Sequence, residues 1–137
     1  MNTTNNQKFY INGQWVNPHS KQLLDVINPA NEEIITQIAI GNEEDLNNAV
    51  EAAKKSFETW SVSGVKERLK LLNKLKEIYQ KRFDEMTVAI TTEMGCPKDF
   101  SSDVQTQSGL DHLNDFIEQL KNFNFENKFN EKSNNYI

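Results

Sequence analysis

The chain predicts an α/β fold in which an N-terminal β-hairpin and a strand pair are followed by four helices. Three observations carry this. Asn12-Gly13 sits between Phe9, Ile11, Trp15 and Val16, and Asn-Gly suits a two-residue hairpin turn because both central positions need positive φ. Asn28-Pro29-Ala30-Asn31 interrupts two short apolar runs, Leu23 to Ile27 and Glu33 to Ile40, the second rich in isoleucine. After Gly41 the apolar spacing changes from alternation to steps of three and four, the signature of helices with one buried face.

Each element follows from local chemistry. Residues 1–8 are polar and are expected to form a disordered tail, and Pro18, His19 and Ser20 mark a loop after the hairpin. Pro29 pushes Asn28 out of α geometry and cannot donate to a ladder, so the chain turns there and the second run pairs back on the first. Asn42 suits the N-cap of the first helix. Glu43, Glu44 and Asp45 then fall in the first turn, where the helix dipole favours anions.

Leu46, Ala49, Val50, Ala53, Phe57 and Trp60 form the stripe of the first helix. Ser63 is the expected cap of the second, whose stripe is Val65, Leu69, Leu72, Leu75 and Tyr79. A third helix is expected over Asp84 to Met94, stopped by Gly95 as a left-handed C-terminal residue. Pro97 can open the fourth, whose stripe is Phe100, Val104, Leu110, Leu113, Ile117 and Leu120, with Gln107 and Gly109 weakening its middle. The Asn-rich stretch from 122 reads as a loop leading to a strand that opens at Tyr136-Ile137. The expected organisation is therefore a tail over 1–8, a strand-plus-helical segment over 9–121, and the loop and incomplete strand over 122–137.

Composition narrows the function. The 137 residues carry a net charge of -5, which disfavours nucleic acid and anionic membrane surfaces as partners. Mean hydropathy is -0.71, and no apolar run approaches the roughly 18 residues of a membrane span. A single cysteine excludes an internal disulfide framework. The N-terminus lacks the apolar core of a secretory signal, so a cytoplasmic location is expected.

The five glycines are too far apart for a G-x-G-x-x-G fingerprint or a Walker A loop. Cys96 follows a helix C-terminus, where the dipole raises rather than lowers a thiol pKa, so an ordinary thiol is expected. Asp111, His112 and Asp115 converge badly for a metal and read as a solvated face. The lysines and arginines from Lys66 to Arg82 are interrupted by Glu67 and Glu77 and read as an outer face. Phe123, Phe125 and Phe129 alternate with polar residues, but the acidic chain argues against base stacking.

In order along the chain, FYINGQWV, INPANEEII, the NAV-AAKKSFETW helix, KERLKLLNKLKEIYQKRFDEM and the TTEMGCPKDF corner together resemble the start of an NAD(P)-dependent aldehyde dehydrogenase. The resemblance runs from Phe9 over nearly all the chain. It implies about the first quarter of such an enzyme, an incomplete piece of its nucleotide-binding and oligomerisation region. It also implies that the thiolate nucleophile, the oxyanion-stabilising asparagine, the water-activating glutamate and the NAD or NADP contacts lie further along. Cys96 does not align with the nucleophile.

By the resemblance, the backbone carbonyls of Val26, Ile27 and Glu93 would hold a monovalent cation, K or Na, with a further ligand from a later segment. The full-length family forms homo-oligomers. Two functions follow as expectations. The chain is the N-terminal segment of an aldehyde-oxidising enzyme, inactive alone and partnered by the rest of that fold. Alternatively it is a non-catalytic helical module that pairs with a full-length homologue.

Overall fold

The computed structural model describes residues 5–126. Strands β1 (Phe9–Ile11) and β2 (Gln14–Val16) form an antiparallel hairpin, with Phe9 opposite Val16 and Tyr10 opposite Trp15. Asn12 and Gly13 both have positive φ, 51° and 77°, as a primed two-residue turn demands. Strands β3 (Leu23–Ile27) and β4 (Ile34–Ala39) form a second, separate antiparallel ladder. Its register slips at the far end, from Val26 opposite Thr36 to Ile27 opposite Ile34, which leaves Ile35 as the extra residue of a bulge.

Of the stretch expected to be a loose tail, residues 5–8 make a turn closed by the Lys8 N–H on the Asn5 carbonyl, and the Asn6 side-chain amide donates to Thr36. The expected strand opening at Tyr136 lies outside the described residues.

Helix α1 (Glu43–Trp60) begins at Asn42 with a complete capping box: the Asn42 side chain accepts from the Asp45 N–H, and the Asp45 carboxylate accepts from the Asn42 N–H. Helix α2 (Val65–Lys81) is capped by Gly64 and not by Ser63. The Ser63 hydroxyl is already engaged, donating to the Trp60 carbonyl and accepting from Arg68 Nε. Helix α3 (Phe83–Met94) starts one residue earlier than expected and ends at Gly95 in the left-handed region, φ 64°.

The fourth helix is continuous but uneven. A short α4 (Lys98–Phe100) passes into a π-helical stretch (Ser101–Thr106) and then α5 (Gln107–Asn122). A π turn takes one residue more than an α turn and rotates everything after it. This corrects the expected stripe. Phe100 and Val104 remain exposed at 43% and 47%, while Ser101 and Thr106 take the inward positions and are fully buried. Inward positions run 101, 106, 110, 113, 117 and 120.

The core lies where α2, α3 and the fourth helix meet. α2 packs on α5, and α3 packs on the π turn. The centre is polar: the Thr87 hydroxyl donates to the Thr106 hydroxyl (3.1 Å), and the Tyr79 hydroxyl donates to the Thr106 carbonyl (2.8 Å). Gly109 makes room for this contact, because a Cβ there would lie 2.4 Å from the Tyr79 oxygen. Burial pushes the Tyr79 phenol pKa up. Ile117 is the single buried large apolar side chain among the described residues.

Candidate functional site

The site expected from the sequence is a corner where the end of β3 meets the end of α3. The turn after β3 is built by its asparagines. The Asn28 side chain accepts from the Ala30 N–H, and the Asn31 side chain accepts from the Glu33 N–H. The Asn28 N–H and Glu33 carbonyl close the loop, and Glu32 takes a positive φ of 61°. Gly95 sits directly against this turn: a Cβ there would fall 2.7 Å from the Ala30 nitrogen and 2.9 Å from Pro29 Cγ. Gly95 is therefore required twice, by its backbone conformation and by this close approach.

Val26 and Ile27 lie on either side of the register slip, Val26 half-buried and Ile27 exposed. Glu93 is exposed, two residues before Gly95, and its carboxylate makes no ion pair among the described residues. A cleft of about 670 Å³ opens between the ladder and the helices; Asn6, Thr36, Leu75, Ile78, Met86 and Glu93 line it. Thr36 is the ladder partner of Val26, so the cleft joins the elements that carry Val26 and Glu93.

The remaining candidates are placed plainly. Cys96 is half-buried, its sulfur 3.0 Å from the Ser101 hydroxyl, whose own second contact is the Pro97 carbonyl. Asp111 accepts from the Gln107 amide, and among the described residues no three His, Cys, Asp or Glu side chains converge as metal ligands would. Lys74–Glu77 and Arg82–Glu85 are i,i+3 surface pairs, as a solvated face suggests.

Arg68 departs from that pattern. Its guanidinium lies 5.6 Å from the Trp60 ring and 5.2 Å from the Phe125 ring, and donates to the Trp60 and Ser61 carbonyls. It ties the end of α1 to the segment after α5. Phe123 packs edge-on against Phe125 at 4.8 Å. His19 also acquires partners that its loop setting did not announce. Its backbone N–H and its ring both meet Asp45, and its other ring nitrogen meets Glu44.

The helices here carry large bare apolar faces. Leu71, Leu75 and Ile78 of α2 are exposed in a row, Phe57 of α1 is 65% exposed and Phe116 of α5 is 67% exposed. This is the class of a strand-and-helix scaffold segment of an α/β fold, with faces suited to packing against further protein.

Comparison with known proteins identifies which. Residues 15–137 match the model of the aldehyde dehydrogenase family, and the chain belongs to that family. A Staphylococcus epidermidis protein assigned by name to the aldehyde dehydrogenases is 46% identical over 119 residues, which cover 87% of this chain and 25% of that protein. The crystal structure of an aldehyde dehydrogenase from Bartonella henselae superimposes with a TM-score of 0.89 at 40% identity, covering 93% of this chain and 27% of that one. A mutant aldehyde dehydrogenase C from Pseudomonas syringae, crystallised with NAD+ and octanal, gives a TM-score of 0.89 at 30% identity and the same 93% coverage. The chain thus spans about a quarter of the curated relatives it matches, and corresponds to a partial N-terminal region of them. Among the described residues, no helix is long and apolar enough to cross a membrane.

Proposed function

We propose that the chain supplies the N-terminal strand-and-helix segment of a cytoplasmic aldehyde dehydrogenase, an enzyme that oxidises an aldehyde to a carboxylic acid with NAD or NADP. In this reading its role is structural. Its helices cover a neighbouring part of the enzyme, and the nucleophile, the oxyanion donors and the cofactor contacts come from other parts of the fold. The observation that carries this is the pairing of intact family geometry with bare apolar faces on α1, α2 and α5. Surfaces of that kind mark a contact with more protein.

The same reading gives the corner at Val26, Ile27 and Glu93 a monovalent cation, potassium or sodium, held on backbone carbonyls. What supports the fit is the register slip between Val26 and Ile27, with Ile35 left out of the ladder opposite them, and the close approach of Gly95 to Ala30, which brings the backbone of the β3 end and of the α3 end into one corner. Oxygen donors of this kind suit a hard cation.

The test is reconstitution. An aldehyde dehydrogenase relative lacking the matching quarter is expressed with and without this chain, and NADH formation from an aldehyde is followed. Activity is expected only from the combination. NADH production by the chain alone would overturn the structural reading. Co-purification with an intact relative whose rate is unchanged would instead favour a non-catalytic module pairing with a full-length homologue.

A further inference from the structure

One side chain ties the loop before β3 to the first turn of α1. The His19 backbone N–H donates to Asp45 Oδ1 at 3.0 Å, and ring Nδ1 lies 2.8 Å from the same oxygen. Ring Nε2 lies 3.2 Å from Glu44 Oε1. The other Asp45 oxygen accepts the Asn42 N–H at 3.0 Å, closing the capping box. The Asp45 carboxylate, 6% exposed, therefore serves the helix cap and the His19 loop at once.

The proton count decides the state. Each ring nitrogen faces a carboxylate oxygen, and a carboxylate can only accept. A neutral imidazole has one N–H and can satisfy one of the two; its other nitrogen would point a lone pair at an anion. The imidazolium ion donates from Nδ1 to Asp45 and keeps a positive charge at Nε2 facing Glu44. We propose that His19, Asp45 and Glu44 form a pH-set clamp in which protonated His19 pins the loop between the hairpin and the ladder to the start of α1, and loss of one ring proton releases the Glu44 arm.

The charged groups acting on the ring are Asp45 and Glu44, both from α1. Lys21 in the same loop, Lys8 before β1 and Glu43 of α1 make no ion pair among the described residues. The hydrogen bond to Asp45 first, and the Glu44 charge after it, raise the His19 pKa above the ordinary imidazole value. The backbone N–H of Asn42 first, and that of His19 next, hold Asp45 down to about 2, so its acceptor stays charged throughout. A histidine raised on folding contributes fully below about 6.5 and loses its contribution as pH rises through the higher folded value.

The test uses the whole chain. Its only other histidine is His112, so a His19→Asn variant assigns the ring signals in a proton NMR titration. The His19 midpoint is expected above 6.5 and is expected to fall in Glu44→Gln. Amide exchange in the first turn of α1, corrected for the intrinsic pH dependence, should slow about fivefold on acidification from pH 8 to 5.5, on the scale of one partly exposed charge-assisted bond. That change should vanish in His19→Asn. A His19 midpoint at or below 6.5, or an acid-induced slowing that survives in His19→Asn, overturns the clamp. A chain whose α1 does not fold gives the ordinary midpoint and overturns it too. No aldehyde or cofactor enters the experiment, so its result is independent of the enzymatic reading.

Discussion

The two halves of the molecule are held by different means. The half made of the hairpin, the ladder and α1 has little buried apolar surface, and α1 is fixed at its ends: by the capping box and His19 at one, by Arg68 at the other. The half made of α2, α3, the π turn and α5 has a shared interior, with Ile117, Thr87, Ser101 and Thr106 closed off from water. End-anchored elements depend on a few polar contacts, some of them titratable. An element packed along its length depends on shape. The first half should therefore respond to pH and to cap removal, and the second to changes of volume.

The largest expected effect tests volume. Ile117→Ala should cost about 2–4 kcal/mol, as large-to-small changes at buried positions do, whereas Val50→Ala on the exposed face of α1 should stay within about 0.5 kcal/mol. Urea denaturation of both variants checks this, and equal costs would erase the distinction between the halves. Next in size is the polar interior. Thr106→Val leaves the Thr87 hydroxyl without its partner and should cost about 1–3 kcal/mol, while the Thr87→Val, Thr106→Val pair should cost less than the sum of the singles.

Gly109→Ala gains about 1 kcal/mol of helix propensity but drives a methyl into the Tyr79 hydroxyl, a clash that should cost about 1–3 kcal/mol; a net loss is expected, smaller in a Tyr79→Phe background. Asn42→Ala should cost about 1 kcal/mol and act on α1 alone, read by hydrogen exchange in that helix against α5.

The smallest effect is on the acid side. Asp45 is depressed to about 2 by folding, so its contribution is present above the ordinary carboxylate value near 3.8 and is lost as pH falls from there toward 2. The hydroxyl groups at the centre of the bundle do not titrate in that window. Far-UV circular dichroism between pH 5 and 2 should show α1 fraying before the bundle, and simultaneous loss would contradict the comparison.

What could be read in advance follows the same division. Asn12-Gly13, Asn42 and Gly95 were legible because each states a backbone requirement within a few residues. Ser63 misled because its hydroxyl is claimed by Trp60 and by Arg68, five positions on. Arg68 looked like one cation on a solvated face, since nothing local reveals that two aromatic rings from distant segments flank it. The stripe of α2 was half legible. Val65, Leu69, Leu72 and Tyr79 turn toward the bundle, but Leu71, Leu75 and Ile78 form a second row, and periodicity cannot say that this row stays exposed among the described residues. At the candidate corner the turn was legible from Asn28-Pro29, whereas the register slip beside it depends on the pairing of two strands.

The wide turn in the fourth helix can be treated as a count. Removing one residue between Ser101 and Thr106 moves each later inward position back by one, so 106, 110, 113, 117 and 120 become 105, 109, 112, 116 and 119. With 101 in front, that series has steps of four, four, three, four and three: the spacing of an unbroken amphipathic helix. The π turn is thus equivalent to a single-codon insertion in a regular helix, accommodated in place instead of being expelled into a loop. A one-residue deletion at this point is expected to be better tolerated than a deletion within α5, because it restores a regular period where the others destroy one.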